Sequence, residues 1–298
     1  MSRRLVPLAL AIALAAMTPA RAQPVFKARS ELVTLHVLVK DRAGAYVGGL
    51  TADAFRVFEG NRIQPVRFFA TEDAPVTIGL VIDSSGSMAA VRDRVIAASA
   101  AFVESSHPDD EIFAVVFNDD VRPVLDASAP FTHDANVLRR ALAGVFVPEG
   151  RTALHDAIAA GLRGVAGGTR DRRALVVVSD GGDNASQASF ADTLTLVQSS
   201  NTVVYTIALV GPLDDEADPG HLKQLAETSG GSAFAPRDAN AVTRIFQEIA
   251  RDIRHGYTIG YEPLAGDGRP GFHRIRVDVQ SPDGRRLETR TRRGYYAP

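Results

Sequence analysis

Val76-Thr77-Ile78-Gly79-Leu80-Val81-Ile82-Asp83-Ser84-Ser85-Gly86-Ser87-Met88 is a nearly continuous apolar run that ends abruptly in a carboxylate, hydroxyls and a glycine. An apolar run without alternation predicts a strand covered on both faces, as in a sheet with helices on each side. The polar stretch behind it predicts a loop, and a helical pattern over 89–104 follows. In an extended turn, alternate side chains point the same way, so Asp83, Ser85 and Ser87 can converge on one point.

Outward from this stretch, the pattern predicts strands at 112–117 and, as an edge, 121–125, then helices at 134–143 and 153–165. A second buried run at 174–179 is followed by a helix at 190–199, a strand at 203–209, a short helix at 221–228 and a short strand at 232–235. The apolar set Val242, Ile245, Phe246, Ile249 and Ile253 recurs at three- and four-residue steps, predicting a helix over 240–253 with one packed face. Strands alternating with helices of this length imply an α/β fold with a doubly wound, mainly parallel sheet and right-handed crossovers.

On either side the period changes to two. Val33, Leu35, Val37 and Val39 share one face; a helical turn or short strand at 50–58, a hairpin at 59–61 and a strand at 64–69 follow. At the other end, 257–261, then Ile275, Val277 and Val279, then 287–295 read as strands. Each flank offers too few strands to stand alone in water, so pairing between flanks predicts a small antiparallel β domain. The expected division is a leader over 1–22, a β segment over 26–72, the α/β unit over 75–254, and a second β segment over 255–298. The helix over 240–253 runs almost directly into Tyr257, so its movement would be felt by the flanks.

The leader is read from Arg3 and Arg4, an apolar run over 5–17, and Ala20-Arg21-Ala22 before Gln23. This predicts export to the periplasm or beyond, with no stable membrane insertion after cleavage. The 298 residues contain no cysteine, which excludes disulfides and lipid attachment at a cysteine, and the formal net charge of -2 gives no support for nucleic-acid binding.

Two more segments carry oxygen donors off the ends of predicted elements: Gly150-Arg151-Thr152 and Val178-Ser179-Asp180-Gly181-Gly182. Open α/β sheets bind ligands at the carboxyl ends of their strands. A hard divalent cation takes oxygen ligands in near-octahedral geometry. The same residue types also cap helices and shape turns. Other chemistries fare worse: there is no Gly-Lys-Ser/Thr loop, no Gly-x-Ser-x-Gly elbow, and Ser85 stands where an aspartyl-phosphate enzyme would want a second carboxylate. The histidines lack metal-ligand spacing, and His155 beside Asp156 reads as a helix-surface pair. Asn184-Ala185-Ser186 matches a glycosylation acceptor by coincidence. Arg285, Arg286, Arg290, Arg292 and Arg293 read as a solvated edge strand, with contact to an acidic envelope polymer as the alternative.

Asp83-x-Ser85-x-Ser87, Thr152 and Asp180 together resemble the metal-ion-dependent adhesion site of von Willebrand factor type A (VWA) domains. Phe55-x-Val57-x-Glu59-Gly60 and Arg293-Gly294-Tyr295-Tyr296 extend the resemblance to a group of exported bacterial VWA-related proteins. The resemblance implies a Rossmann-like fold in which Ser85, Ser87 and Thr152 ligate Mg²⁺ or Mn²⁺, with Asp83 and Asp180 acting directly or through water. It further implies that a protein partner completes the shell with an Asp or Glu, and that the chain is a binding module rather than an enzyme. The alternative is a structural envelope component in which the metal only firms the fold.

Overall fold

The computed structural model describes residues 32–71, 74–211, 217–264, 270–281, 284 and 287–297. The expected leader lies outside the described residues. The α/β unit is built on a six-stranded sheet in the order β10-β9-β8-β5-β6-β7. These strands are β5 (Val76–Asp83), β6 (Glu111–Phe117), β7 (Val121–Pro123), β8 (Arg172–Ser179), β9 (Thr202–Ala208) and β10 (Ala233–Phe234). All pair in parallel except the edge strand β7, which runs antiparallel to β6.

Alternation within each central strand supplies two cores. Ile78, Leu80 and Ile82 of β5 pack beneath α1 (Arg92–Ser105), α2 (Ala135–Val145) and α6 (Val242–Arg254), whereas Val81 packs with α3 (Leu154–Ala166), α4 (Phe190–Ser199) and α5 (Pro219–Ser229). Each large apolar side chain buried this way contributes about 1.5–3 kcal/mol. That two-sided demand is why β5 and β8 are apolar almost throughout. The helix expected over 89–104 opens instead as a 3-10 turn over Gly86–Ala90, with Met88 N–H on the Ser85 carbonyl and Val91 N–H on the Met88 carbonyl, both at 3.1 Å. Buried Met88 anchors the turn.

The flanks form two antiparallel sheets. One has the order β13-β1-β11-β4, from β1 (Val33–Lys40), β4 (Val66–Ala70), β11 (Tyr257–Tyr261) and β13 (Glu288–Arg290); the other has the order β14-β12-β2-β3, from β2 (Phe55–Glu59), β3 (Arg62–Gln64), β12 (Gly271–Val279) and β14 (Gly294–Ala297). The chain leaves after β4 and returns as β11, which inserts between β1 and β4. A third core unites both flanks around Leu35, Val57, Tyr257, Ile259 and Tyr261. Its polar atoms are matched: Tyr257 donates to the Val47 carbonyl at 2.8 Å, and Tyr261 donates to Glu59 at 2.8 Å.

The single strand expected over 287–295 is broken. β13 pairs with β1 and β14 with β12, and between them Arg292 turns inward, buried, to donate to the Ser200 carbonyl at 3.1 Å. Arg290 also turns inward, to Asp252, Ser232 and the Gly230 carbonyl. The solvated-edge reading therefore fails for these two arginines, whose guanidiniums are structural; Arg285 and Arg286 lie outside the described residues. Arg293 is exposed.

Candidate functional site

The loops after β5, before α3 and after β8 meet at the carboxyl end of the sheet. Asp83 is the last residue of β5 and is fully buried. One carboxylate oxygen accepts the Ser85 backbone N–H at 2.8 Å and the other accepts the Ser179 hydroxyl at 2.6 Å. The Ser85 and Ser87 hydroxyls lie 3.1 Å apart, and Ser87 donates to Asp180 at 2.5 Å. The other Asp180 oxygen accepts the Gly182 N–H at 2.9 Å. Four of the five expected residues thus join in one hydrogen-bonded cluster.

Thr152 reaches the same place through its backbone. Its loop is tied to the first by Glu149 N–H on the Ser84 carbonyl at 3.0 Å, and Thr152 itself exchanges bonds with Asn184: its N–H to the side-chain oxygen at 2.9 Å and its carbonyl from the Asn184 N–H at 3.0 Å. Among the described residues its hydroxyl makes no hydrogen bond with the other four. Gly181 takes a φ of +93°, and a Cβ there would collide with the Asp218 carbonyl, so the turn carrying Asp180 demands glycine.

Burial pushes the Asp83 carboxyl up to about 6, against the lowering effect of the Ser179 and Ser85 hydrogen bonds, and the nearby Asp180 charge adds to the rise. Among the described residues its hydrogen-bond partners are neutral donors only. Composition alone did not assign roles to Ser179, which orients Asp83, to Asn184, which pins Thr152, or to Asp119, which accepts Arg151 N–H at 2.9 Å and Nε at 2.8 Å. Ser179 immediately precedes Asp180 on a strand, which was the available signal. His155 corrects its surface reading: it is buried, with Nδ1 at 3.1 Å from Asp183 and its ring near Phe190. Asp156 instead accepts the N–H groups of Gln187 and Ala188.

Residues 77–248 match the family model for the von Willebrand factor type A domain. The chain belongs to the VWA family. No curated protein matches it. Among solved structures it is similar to a von Willebrand factor type A protein from Catenulispora acidiphila, at 13% identity over 91% of this chain and 76% of that one, with a TM-score of 0.52. It is also similar to the PilB minor pilin from Streptococcus sanguinis, at 12% identity over 64% of this chain and 63% of that one, TM-score 0.50. Proximal thread matrix protein 1 from the mussel byssus matches at 14% identity over 66% of this chain and 51% of that one, TM-score 0.50. At these identities the likeness is one of fold.

Many VWA domains hold a divalent cation where this cluster stands, and the donor set here can be tested against that use. Among the described residues no group of three or more His, Cys, Asp or Glu side chains is placed to hold a metal. The cluster has two carboxylates, and its remaining oxygens are hydroxyls. An octahedral Mg²⁺ shell with bonds of about 2.1 Å has oxygen–oxygen edges of about 3.0 Å. The 3.1 Å separation of Ser85 and Ser87 matches such an edge, and the 2.5 Å separation of Ser87 and Asp180 would open by a few tenths of an ångström. The donor chemistry fits a small, hard cation.

Proposed function

We propose that this VWA protein is an exported, metal-dependent binding module, acting in the periplasm or outside the cell and not as an enzyme. Ser85, Ser87 and Thr152 ligate Mg²⁺ or Mn²⁺, Asp83 and Asp180 act directly or through water, and an Asp or Glu of a protein partner completes the shell. The observation that carries this reading is the Ser85–Ser87–Asp180 run of oxygens backed by a buried Asp83 that has no cationic partner among the described residues. Neutral hydroxyls leave much of a cation's charge uncompensated, so it stays attractive to an incoming carboxylate.

Among the described residues no helix is long and apolar enough to cross a membrane. Capture of envelope proteins by the wild-type chain with Mg²⁺, with chelator, and by Asp180→Ala tests the reading. Partners retained only by the wild type with Mg²⁺ support it; partners indifferent to both chelation and substitution would leave the flanking sheets as the binding surface instead.

A further inference from the structure

An open trough runs between α5 and the outer face of β12, with compartments of about 710 Å³ and about 480 Å³ that share Lys223, Arg276 and Arg293. The larger is within the roughly 300–1,000 Å³ usual for ligand sites. Alternation along β12 turns Ile275 and Val277 into the core and leaves Phe272, Arg274 and Arg276 outward on one face. Arg293 stands beside them, and Lys223 faces them from the helix.

The trough's cations differ in their commitments. Arg276 pairs with Asp278 and lies 3.9 Å over the Phe58 ring, and Lys223 is 3.8 Å from Glu227. Among the described residues, the side chains of Arg274 and Arg293 have no ion-pair or hydrogen-bond partner. In a chain of formal net charge -2, two guanidiniums lining one groove with no ion-pair partner among the described residues are a local inversion of sign. Their planar forks suit carboxylates.

The other lining groups narrow the occupant. Gln198, Gln224 and Thr228 offer amides and a hydroxyl suited to neutral hydroxyl groups, and Phe272, 47% exposed, offers a ring face suited to the C–H face of a sugar. A nucleic acid would want a row of open, parallel rings on which bases stack. Here the guanidinium of Arg276 lies over the Phe58 ring, and Phe272 and Tyr296 are tilted by 59°.

We infer that the trough between α5 and β12 binds a carboxylate-bearing polysaccharide, with Arg274 and Arg293 taking its carboxylates and Phe272 packing on a sugar ring. This surface is separate from the Ser85–Ser87 cluster and does not depend on a metal there. The test is a titration of the full chain with a fluorescent short oligogalacturonate in chelator, which removes any bridging through a cation. Expected are saturable, salt-sensitive binding, no binding of an uncharged maltooligosaccharide, and a loss of roughly tenfold or more in Arg274→Ala/Arg293→Ala. The melting temperature of that double variant stays at the wild-type value, because among the described residues neither side chain has a partner to lose. Absence of saturable binding, or equal binding by the double variant, overturns the inference. Tighter binding of an oligoglutamate or a single-stranded oligonucleotide of equal charge overturns the sugar assignment in favour of an acidic peptide or a nucleic acid.

Discussion

Two buried aspartates, one at each end of the α/β unit, are treated in opposite ways. Asp252 on α6 is met by Lys40 Nζ at 3.2 Å, by the Arg290 guanidinium, and by the Tyr46 hydroxyl at 2.7 Å. Those partners come from β1, β13 and the loop after β1, so the charge is neutralised by bringing the flanks onto the helix. His255 stacks on Tyr46 at 4.5 Å and extends the same contact. Asp83 is equally buried but, among the described residues, is met only by hydroxyls and a backbone N–H. A buried charge completed within the protein serves the fold; one left to neutral donors is suited to a cation from outside.

The largest expected effect lies at the compensated site. Asp252→Ala leaves Lys40 and Arg290 without their counter-ion and should cost about 3 kcal/mol in a denaturant titration, the low end for a broken buried pair because both cations are partly exposed. Its Mg²⁺ affinity should be unchanged; a joint loss of stability and Mg²⁺ binding would show that the two ends are not separable. Gly181→Ala should cost about 1–3 kcal/mol through strain at a positive φ and the clash with Asp218, and should weaken Mg²⁺ binding by displacing Asp180. Retention of both wild-type values would mean the turn adapts.

Ser179→Ala sharpens the comparison at the other end. It removes the hydroxyl that orients Asp83, and Mg²⁺ affinity measured by calorimetry should fall about tenfold. A further effect is one of pH, at the seam. Burial, with the Arg172 and Arg292 charges, lowers the His36 pKa to about 3, well below its unfolded value of about 6.5. A depressed histidine contributes stability that is present above the unfolded pKa and is lost as pH falls from there toward about 3. Melting temperature should therefore drop between pH 6.5 and pH 4, and less steeply in His36→Gln; identical slopes would remove His36 from the account.

Much of this was legible in the sequence because burial on two faces writes itself as apolar runs, as in β5 and β8, and half-burial as alternation, as in β1 and β12. The convergence of Asp83, Ser85, Ser87 and Asp180 followed from their places after such runs. What spacing alone could not show were long-range commitments of charge. Arg290 and Arg292 resemble a solvated basic edge until Asp252, 38 positions away from Arg290, and the Ser200 carbonyl are seen to receive them. His155 likewise looked like a surface residue beside Asp156, and only the folded loop after β8 brings Asp183 to its ring.

The most direct test of the contrast between the two aspartates is a calorimetric Mg²⁺ titration of the wild type and Asp83→Ala, each followed by a thermal melt with and without the ion. Asp83→Ala should stay folded and lose roughly 10- to 100-fold or more in Mg²⁺ affinity. Saturating Mg²⁺ should stabilise the wild type, by about 2.7 kcal/mol at one hundred times the dissociation constant, and should not stabilise the variant at that concentration. Equal Mg²⁺ binding by the two proteins would contradict a metal role for Asp83 and leave the cluster as a set of turn and helix-capping residues.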